Sequence, residues 1–196
     1  MKAPIDLRLG VAAPAATGLL FLLAWEALVR IAEIPPYILP GPFLVLETLW
    51  RDGPSLLGSL WVTVYVTLAA LAAAIIVGGA IAIAFAQWQL LETSLLPYAI
   101  ALQVTPVVAI APLIIIWVND AFLSLLIIAW IVAFFPIVAN TTLGLNSADR
   151  NLLALFRLYG ASRWQVMRYL RLPTALPNFL AGVRISGGLA LIGAVV

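Results

Sequence analysis

The stretch from residue 56 to residue 86 contains no charged side chain. As a helix rising 1.5 Å per residue it would be about 46 Å long, which exceeds the ~30 Å hydrocarbon core of a bilayer. The whole chain is 65% hydrophobic and 9% charged, whereas a soluble domain is about half apolar and about a quarter charged. A soluble fold of this length has too little interior for so much apolar surface. The sequence therefore predicts an all-α protein that crosses a membrane several times.

Apolar segments predict five membrane spans. Their ranges are about 10–31, 58–86, 94–118, 121–145 and 179–196. The first apolar run is too long for the ~7–15-residue core of a cleavable signal peptide, so residues 1–9 are predicted to be a retained N-terminal segment. The fifth run reaches residue 196 without a polar anchor, so we expect the chain to be incomplete at its C-terminus.

The first two predicted spans are joined by a proline-rich segment. Four prolines between residues 35 and 42 preclude a continuous helix there. Residues 43–52 then predict a short amphipathic helix on the membrane surface. Glu26 precedes Arg30 by one helical turn, and we interpret the two as an interfacial ion pair rather than as a functional carboxylate.

Basic residues are distributed unevenly between the two sides of the predicted bundle. Lys2, Arg8 and six arginines in or beside residues 146–178 fall on one side, and Arg30 and Arg51 fall on the other. The positive-inside rule therefore places the N-terminus and residues 146–178 in the cytoplasm.

Residues 146–178, called the basic loop from here on, contain signals for two short helices. Asp149 favours a helix start, and a helix to about Leu158 is predicted to bury four apolar residues. These are Leu152, Leu155, Phe156 and Tyr159. Gly160 is suited to end that helix.

The second short helix begins with a capping-box pattern, Ser162 followed three residues later by Gln165. It is predicted to run from Arg163 to about Arg171, where Leu172 and Pro173 end it. Pro177 would open the fifth span.

Three partners were weighed for such a loop. Arginine-rich amphipathic helices lie on anionic lipid headgroups, and they also dock on proteins. A DNA-binding helix-turn-helix is only a superficial match, because a loop tethered at both ends lacks a third helix and access to a groove. Lipid contact and protein docking both stay open on these grounds, and nucleic acid is disfavoured.

The basic loop resembles the cytoplasmic loop of ABC-importer permeases. That loop reads Glu-Ala-Ala, three residues, Gly, nine residues, Ile, one residue and Leu-Pro. Here Gly160 is the glycine, Leu170 takes the isoleucine place, and Leu172 and Pro173 complete the spacing. The first triplet departs from the pattern, because Ala154 stands where the family has glutamate.

Further segments resemble the nitrate, sulfonate and taurine branch of these permeases. They are residues 35–42, 109–117, 134–141 and 160–166. The resemblance implies a type I ABC-importer permease fold, a polytopic transmembrane helical bundle with a cytoplasmic coupling-helix loop. Branch members usually have six spans, so a final helix is expected beyond residue 196.

The same resemblance implies a transport subunit in a bacterial inner membrane, without enzymatic activity, cofactor or metal of its own. Expected partners are two cytoplasmic ABC ATPase subunits, a second permease copy in a homodimer, and a periplasmic or lipid-anchored solute-binding protein. No Gly-x-x-x-x-Gly-Lys-Ser/Thr motif for ATP occurs. The residues expected to dock the ATPase are Arg157, Gly160, Ala161, Ser162, Arg163, Trp164, Gln165 and Pro173. The solute would be of the nitrate, sulfonate or taurine type, or a vitamin precursor.

Polar residues inside the predicted spans are candidates for the translocation path. They are Gln103, Thr105 and Asn140, together with Pro106, which interrupts the third span. Hydrogen bonds between helices and an ordinary proline kink also explain these residues, and that is the interpretation we favour. We expect no charged residue at mid-membrane, and hence no fixed counter-ion for an anionic solute.

Two other classes of function fit the sequence less well. An intramembrane enzyme is disfavoured, because the chain has no His or Cys, no paired carboxylates in mid-span and no Gly-x-Ser-x-Gly motif. An ion-coupled carrier or channel is the main alternative, and it would predict mid-membrane carboxylates or inverted repeats, neither of which is found.

Overall fold

The computed structural model describes residues 7–104 and 107–195, with side chains from residue 12 to 104 and from 109 to 195. The described helices are α1 Leu7–Ile31, α2 Pro42–Arg51, α3 Gly53–Gln87, α4 Gln89–Gln103, α5 Val107–Val118, α6 Ala121–Asn146, α7 Arg150–Leu158, α8 Arg163–Val166 and α9 Leu172–Gly193. A π-helical turn, Met167–Arg171, joins α8 to α9. The chain divides into two compact units, Met1–Ser59 and Leu60–Val196.

In the first unit, α2 is the predicted short helix. Pro42 occupies its first turn, where the missing N–H costs nothing. No residue of α2 is buried, and Trp50 is 91% exposed. This apolar exposure fits the predicted position on a membrane surface.

Glu26 in α1 makes two hydrogen bonds within the first unit. Arg30 Nε donates to its Oε1 at 2.6 Å, which confirms the predicted ion pair. The backbone N–H of Phe43 donates to its Oε2 at 3.2 Å. Glu26 therefore also caps the N-terminus of α2, where N–H groups lack partners within the helix. Gly41 permits this approach, because a Cβ there would lie 2.6 Å from Glu26 Oε2.

The second unit is built on α3, α6 and α9, and small residues dominate their contacts. On α3 the buried positions recur every four residues from Val66 to Ala82. They pack against α6 and α9 in three clusters at successive levels along the helices. Small residues allow close approach of helix backbones, which is how helices associate inside a membrane.

Glycines set the closest contacts between α6 and α9. A Cβ on Gly144 would lie 2.9 Å from the Cα of Ala175, and one on Gly193 would lie 2.8 Å from the Cα of Ala129. Between these levels, the buried hydroxyl of Ser186 donates to the carbonyl oxygen of Ala133 at 2.6 Å. The two helices therefore pack closely against each other along most of their length.

The third span, predicted over residues 94–118 with an interruption at Pro106, is described as two helices. It consists of α4 and α5, and the intervening residues 105 and 106 lie outside the described residues. At one end of α6, Asn146 Nδ2 donates to Glu92 Oε1 of α4 at 2.6 Å. At the other end, Asp120 caps α6 directly after α5. Together α4 and α5 lead from one end of α6 to the other, and the third crossing stays a prediction.

The predicted end of the second loop helix at Leu172 and Pro173 is wrong. One helix runs from Arg163 to Gly193 and also contains the predicted fifth span. The wide turn before Pro173 has room for its ring, and the N–H of Leu172 bonds to the carbonyl of Met167, five residues back. Thr174 Oγ1 donates to the carbonyl of Leu170 at 2.7 Å, so this carbonyl is satisfied.

Within the described residues, four helices are long and apolar enough to cross a membrane. They are Ala12–Ile31, Gly53–Gln87, Ala121–Asn146 and Arg163–Gly193, and Ala109–Val118 is a shorter apolar helix. The all-α, multi-spanning architecture predicted from the sequence is confirmed.

Candidate functional site

The basic loop begins with a tightly capped helix, α7. Ser147 Oγ donates to the carbonyl of Gly144 at 2.8 Å and closes the end of α6. Asp149 Oδ1 then accepts the N–H of Asn151 at 2.6 Å and opens α7. Only Ser147 and Ala148 separate α6 from this cap. The predicted start of α7 at Asp149 is therefore confirmed.

Gly160 ends α7 in a left-handed conformation with φ of +65°. The N–H of Gly160 bonds to the carbonyl of Arg157, and the N–H of Ala161 bonds to the carbonyl of Phe156, both at 3.0 Å. This is the Schellman arrangement, in which glycine avoids the steric penalty of a Cβ. The glycine corner predicted from the sequence is confirmed.

The capping box at Ser162 opens the next helix. The N–H of Gln165 donates to Ser162 Oγ at 3.3 Å, and the N–H of Ser162 donates to Gln165 Oε1 at 2.7 Å. The chain direction is therefore set by two adjacent caps, one that ends α7 and one that starts α8.

Apolar and polar contacts fix the basic loop to the bundle. Met167 is 1% exposed and packs with Ala82, Leu145 and Ala175. Arg171 Nη1 donates to the carbonyl oxygen of Ala86 at the end of α3, at 2.7 Å. Part of the basic loop is therefore buried against the bundle, and the rest of it is exposed.

The exposed surface of the basic loop is both aromatic and basic. Trp164 is 59% exposed and Tyr159 is 84% exposed, and Arg157 and Arg163 are exposed beside them. The predicted burial of the apolar face of α7 is wrong, because no residue of α7 is buried. Leu152 and Leu155 are each 45% exposed, and Phe156 is partly buried. Within the described residues, nothing buries these side chains.

The predicted docking residues lie close together along the chain, and most of them face outward. Arg157, Gly160, Ser162, Arg163, Trp164, Gln165 and Pro173 are exposed, and Ala161 is half-buried. Ala154 is exposed on α7, so the position that carries glutamate in the family pattern faces outward here without a charge.

A cavity of about 920 Å³ lies beside the basic loop, at the ends of α3, α4 and α6. Arg157, Arg163 and Arg171 line it together with Glu92 and Asn146. Sequence reasoning missed this contribution of α4, because Glu92 and Asn146 are 54 residues apart and only the folded chain joins them.

The candidate path residues do not form one described cluster. Asn140 is partly buried, and its Nδ2 donates to the carbonyl of Pro136 on its own helix at 2.8 Å. Gln103 is exposed at the end of α4. Thr105 and Pro106 lie outside the described residues. No group of His, Cys, Asp and Glu within residues 7–104 and 107–195 could hold a metal ion.

The sequence predicts no charge at mid-membrane, and this stays a prediction, but Arg184 lies opposite the middle of α6. Ser186, two residues later, bonds to Ala133, the thirteenth of the 26 residues of α6. The sequence prediction ended the loop helix at Pro173 and therefore placed Arg184 near a membrane edge. With one helix from Arg163 to Gly193, Arg184 falls well inside the span.

Comparison with known proteins identifies the family. Residues 74–196 match the family model described as binding-protein-dependent transport system inner membrane component. The riboflavin transport system permease protein of Chloroflexus aurantiacus is 39% identical, over 92% of this chain and 68% of that protein. The formylaminopyrimidine transport permease protein of Halalkalibacterium halodurans is 32% identical, over 91% and 71%. The taurine transport system permease protein of Escherichia coli is 30% identical, over 85% and 63%.

The fold and these relatives agree on a multi-pass inner-membrane protein that works with an ATPase and a substrate-binding protein. The predicted class of transport subunit, not an enzyme, is confirmed. The chain belongs to the binding-protein-dependent transport system inner membrane components, the permease subunits of ABC importers.

Proposed function

We propose that the basic loop docks a cytoplasmic ATPase subunit through the Gly160 corner and the first turn of the Arg163–Gly193 helix. One observation carries this proposal: exposed Trp164 stands on the same continuous helix that crosses the membrane. Protein interfaces are enriched in exposed aromatic and arginine side chains of this kind. The ATPase would cover Trp164, Tyr159 and the apolar face of α7.

The mechanism follows from the stiffness of that helix. The helix has 31 residues and is about 46 Å long, so in the proposed mechanism it would carry a displacement of the loop into the bundle. Arg171 and Met167 hold its base against α3 and α6. Closure of the ATPase on ATP would press on the loop at Trp164, and the displacement would reach α9 as a tilt. Such a tilt would switch the permease between inward-open and outward-open states.

The proposed assembly has two copies of this chain, two ATPase subunits and one periplasmic or lipid-anchored solute-binding protein. Each chain offers one basic loop, so two ATPases need two permease chains. The resemblance in the loop and in residues 35–42, 109–117 and 134–141 supports this arrangement.

We also propose that the N-terminus and the basic loop face the cytoplasm. With Arg184 assigned to the span, the basic loop has five arginines and the N-terminal segment adds Lys2 and Arg8. On the opposite side, Arg30 pairs with Glu26, and Arg51 lies 3.4 Å from Asp52. Seven Lys and Arg residues on one side against two on the other support a cytoplasmic location.

The solute is proposed to be a small molecule of the nitrate, sulfonate or taurine type, or a vitamin precursor. The names of the similar permeases support this range, because they include riboflavin, formylaminopyrimidine and taurine transport. The binding protein would deliver the solute to the bundle of α3, α4–α5, α6 and α9.

Co-purification and uptake test the docking proposal together. The full chain is expressed with its ATPase in native membranes, and Trp164→Ala is compared with Trp117→Ala, which alters a tryptophan 78% exposed at the far end of α5. Trp164→Ala is expected to reduce ATPase recovery at least tenfold and to abolish uptake, and Trp117→Ala should keep ATPase recovery normal. Equal recovery for both variants would favour lipid contact for the loop and refute docking.

A further inference from the structure

Arg184 is a cation at the middle of the packed part of α9, which a membrane around this bundle would place at about half depth. The Ser186–Ala133 hydrogen bond places the neighbouring residue of α9 at the middle of α6. The close contacts of α9 with α6 at Ala175 and Gly193 lie nine residues before and nine residues after Arg184. Each separation is about 13 Å along the helix, so Arg184 is far from both ends of the packed region.

The side chain of Arg184 starts from the face of α9 opposite the packed face. The buried residues of α9 are Ala175, Gly182, Ser186, Ala190 and Gly193. At about 100° per residue, Arg184 lies roughly 160–200° around the helix from Gly182 and Ser186. It is exposed in the single chain, and a Cβ on Gly188, one turn later, would meet no atom within 4 Å.

Among the described side chains of the second unit, no carboxylate pairs with Arg184. Among the residues with described side chains, the ion pairs are Arg30 with Glu26 and Arg51 with Asp52. From residue 60 to 196 the only acidic residues are Glu92, Asp120 and Asp149. All three lie at helix ends, where two of them are caps. A second copy of the chain would therefore present no acidic residue of these spans at that depth either.

A lone guanidinium facing lipid at this depth is strongly unfavourable, and charged side chains in membrane spans face the protein interior or a water-filled path. A solute path supplies both water and, when the solute is acidic, the missing counter-charge. We propose that Arg184 lines the translocation path and binds the anionic group of the transported solute. The inference rests on the proposed function and narrows its solute to one that carries a sulfonate, carboxylate, phosphate or similar acidic group.

Charge-selective labelling tests this inference, because the native chain has no cysteine. Gly188→Cys introduces a single thiol in open space one turn from Arg184, and Ala181→Cys is a second reporter on the other side. The complete importer is reconstituted in liposomes and treated with sulfonatoethyl methanethiosulfonate, an anion, or with its trimethylammonium analogue, a cation. The rate at which each reagent labels the protein is divided by its rate of reaction with a free thiol in solution.

The anionic reagent is expected to react about tenfold faster than the cationic one, as a positive site enriches anions locally. Arg184→Gln should abolish the preference and Arg184→Lys should keep it. If neither reagent reacts at either reporter, this face meets lipid. If Arg184→Gln keeps the preference for the anionic reagent, Arg184 does not form an anion-binding site. Either result overturns the inference.

A failure of the proposed ATPase docking would be detected by a separate measurement. ATPase co-purification is measured on the same preparations, and it depends on the basic loop rather than on Arg184. Uptake supplies a second readout: Arg184→Gln should lower uptake of an anionic solute at least tenfold and Arg184→Lys should restore most of it. Normal anion uptake by Arg184→Gln would also overturn the inference.

Discussion

The guanidinium of Arg171 donates a 2.7 Å hydrogen bond to the carbonyl oxygen of Ala86, 85 residues earlier in the chain. Ala86 lies in the last turn of α3, where carbonyl groups have no partner within the helix. Arg171 lies in the π-helical turn between the exposed start of the long helix and its membrane-crossing part. The bond therefore attaches the long helix to α3 at this point, and we expect a force on the basic loop to tilt the helix about it.

Removing this bond is predicted to loosen the coupling between loop and bundle. Arg171→Met keeps most of the aliphatic stem and leaves the carbonyl of Ala86 unpaired, at a cost of about 1–3 kcal/mol. Arg168→Met is the matched control, because Arg168 is exposed and its described contact is with the ring of Tyr169. Thermal unfolding of the purified complex measures the difference. A lower melting temperature for Arg168→Met than for Arg171→Met would contradict the assignment.

Gly160 is predicted to tolerate only residues that adopt a left-handed backbone. A Cβ at this position meets no atom within 4 Å, so any loss comes from the φ of +65° and not from a clash. Gly160→Val should cost about 1–2 kcal/mol or more and disrupt the corner, whereas Gly160→Asn should be nearly neutral. ATPase recovery with each variant checks this. Equal recovery with Val and Asn would show that the corner is not needed for docking.

The contact between α6 and α9 is predicted to be intolerant of even one methyl group. Gly144→Ala would place a Cβ 2.9 Å from both the Cα and the carbonyl oxygen of Ala175, and overpacking of this kind costs about 1–3 kcal/mol. Gly79→Ala is the control, because a Cβ there meets nothing within 4 Å and alanine is the better helix former. Thermal stability in detergent should fall only for Gly144→Ala. The packing would be misassigned if both variants were equally stable.

The capping box is predicted to hold the first turn of the docking helix. Ser162→Ala removes the acceptor for the N–H of Gln165 and should cost about 1 kcal/mol locally, and Ser162→Asp should restore the cap. Hydrogen exchange of the amides of residues 163–166 measures this. Unchanged exchange in Ser162→Ala would mean that packing at Met167 alone orders this turn.

Local signals predicted the parts of the site that local chemistry determines. Asp149, Gly160 and Ser162 act through neighbouring backbone groups, so their caps were readable from the sequence. The end assigned to Pro173 was wrong, because the buried side chains of Met167 and Leu170 continue the helix into the bundle through a wide turn. Packing between distant segments decided that outcome, and the sequence alone does not display it.

The same limit explains one other difference. The exposed face of α7 looked like a core face, because amphipathic spacing cannot distinguish burial within the chain from burial against another subunit. The predicted interruption of the third span at Pro106 falls outside the described residues, which have separate helices α4 and α5 on either side of it. Both helices pack against α6.

Site-specific photo-cross-linking tests the central claim, that the first turn of the Arg163–Gly193 helix docks the ATPase. A benzophenone amino acid is introduced at Trp164, and at Trp117 as the control, in the complete importer in native membranes. The account predicts a cross-link to the ATPase subunit from position 164 and none from position 117. No ATPase cross-link from position 164, or an equal one from position 117, would contradict it.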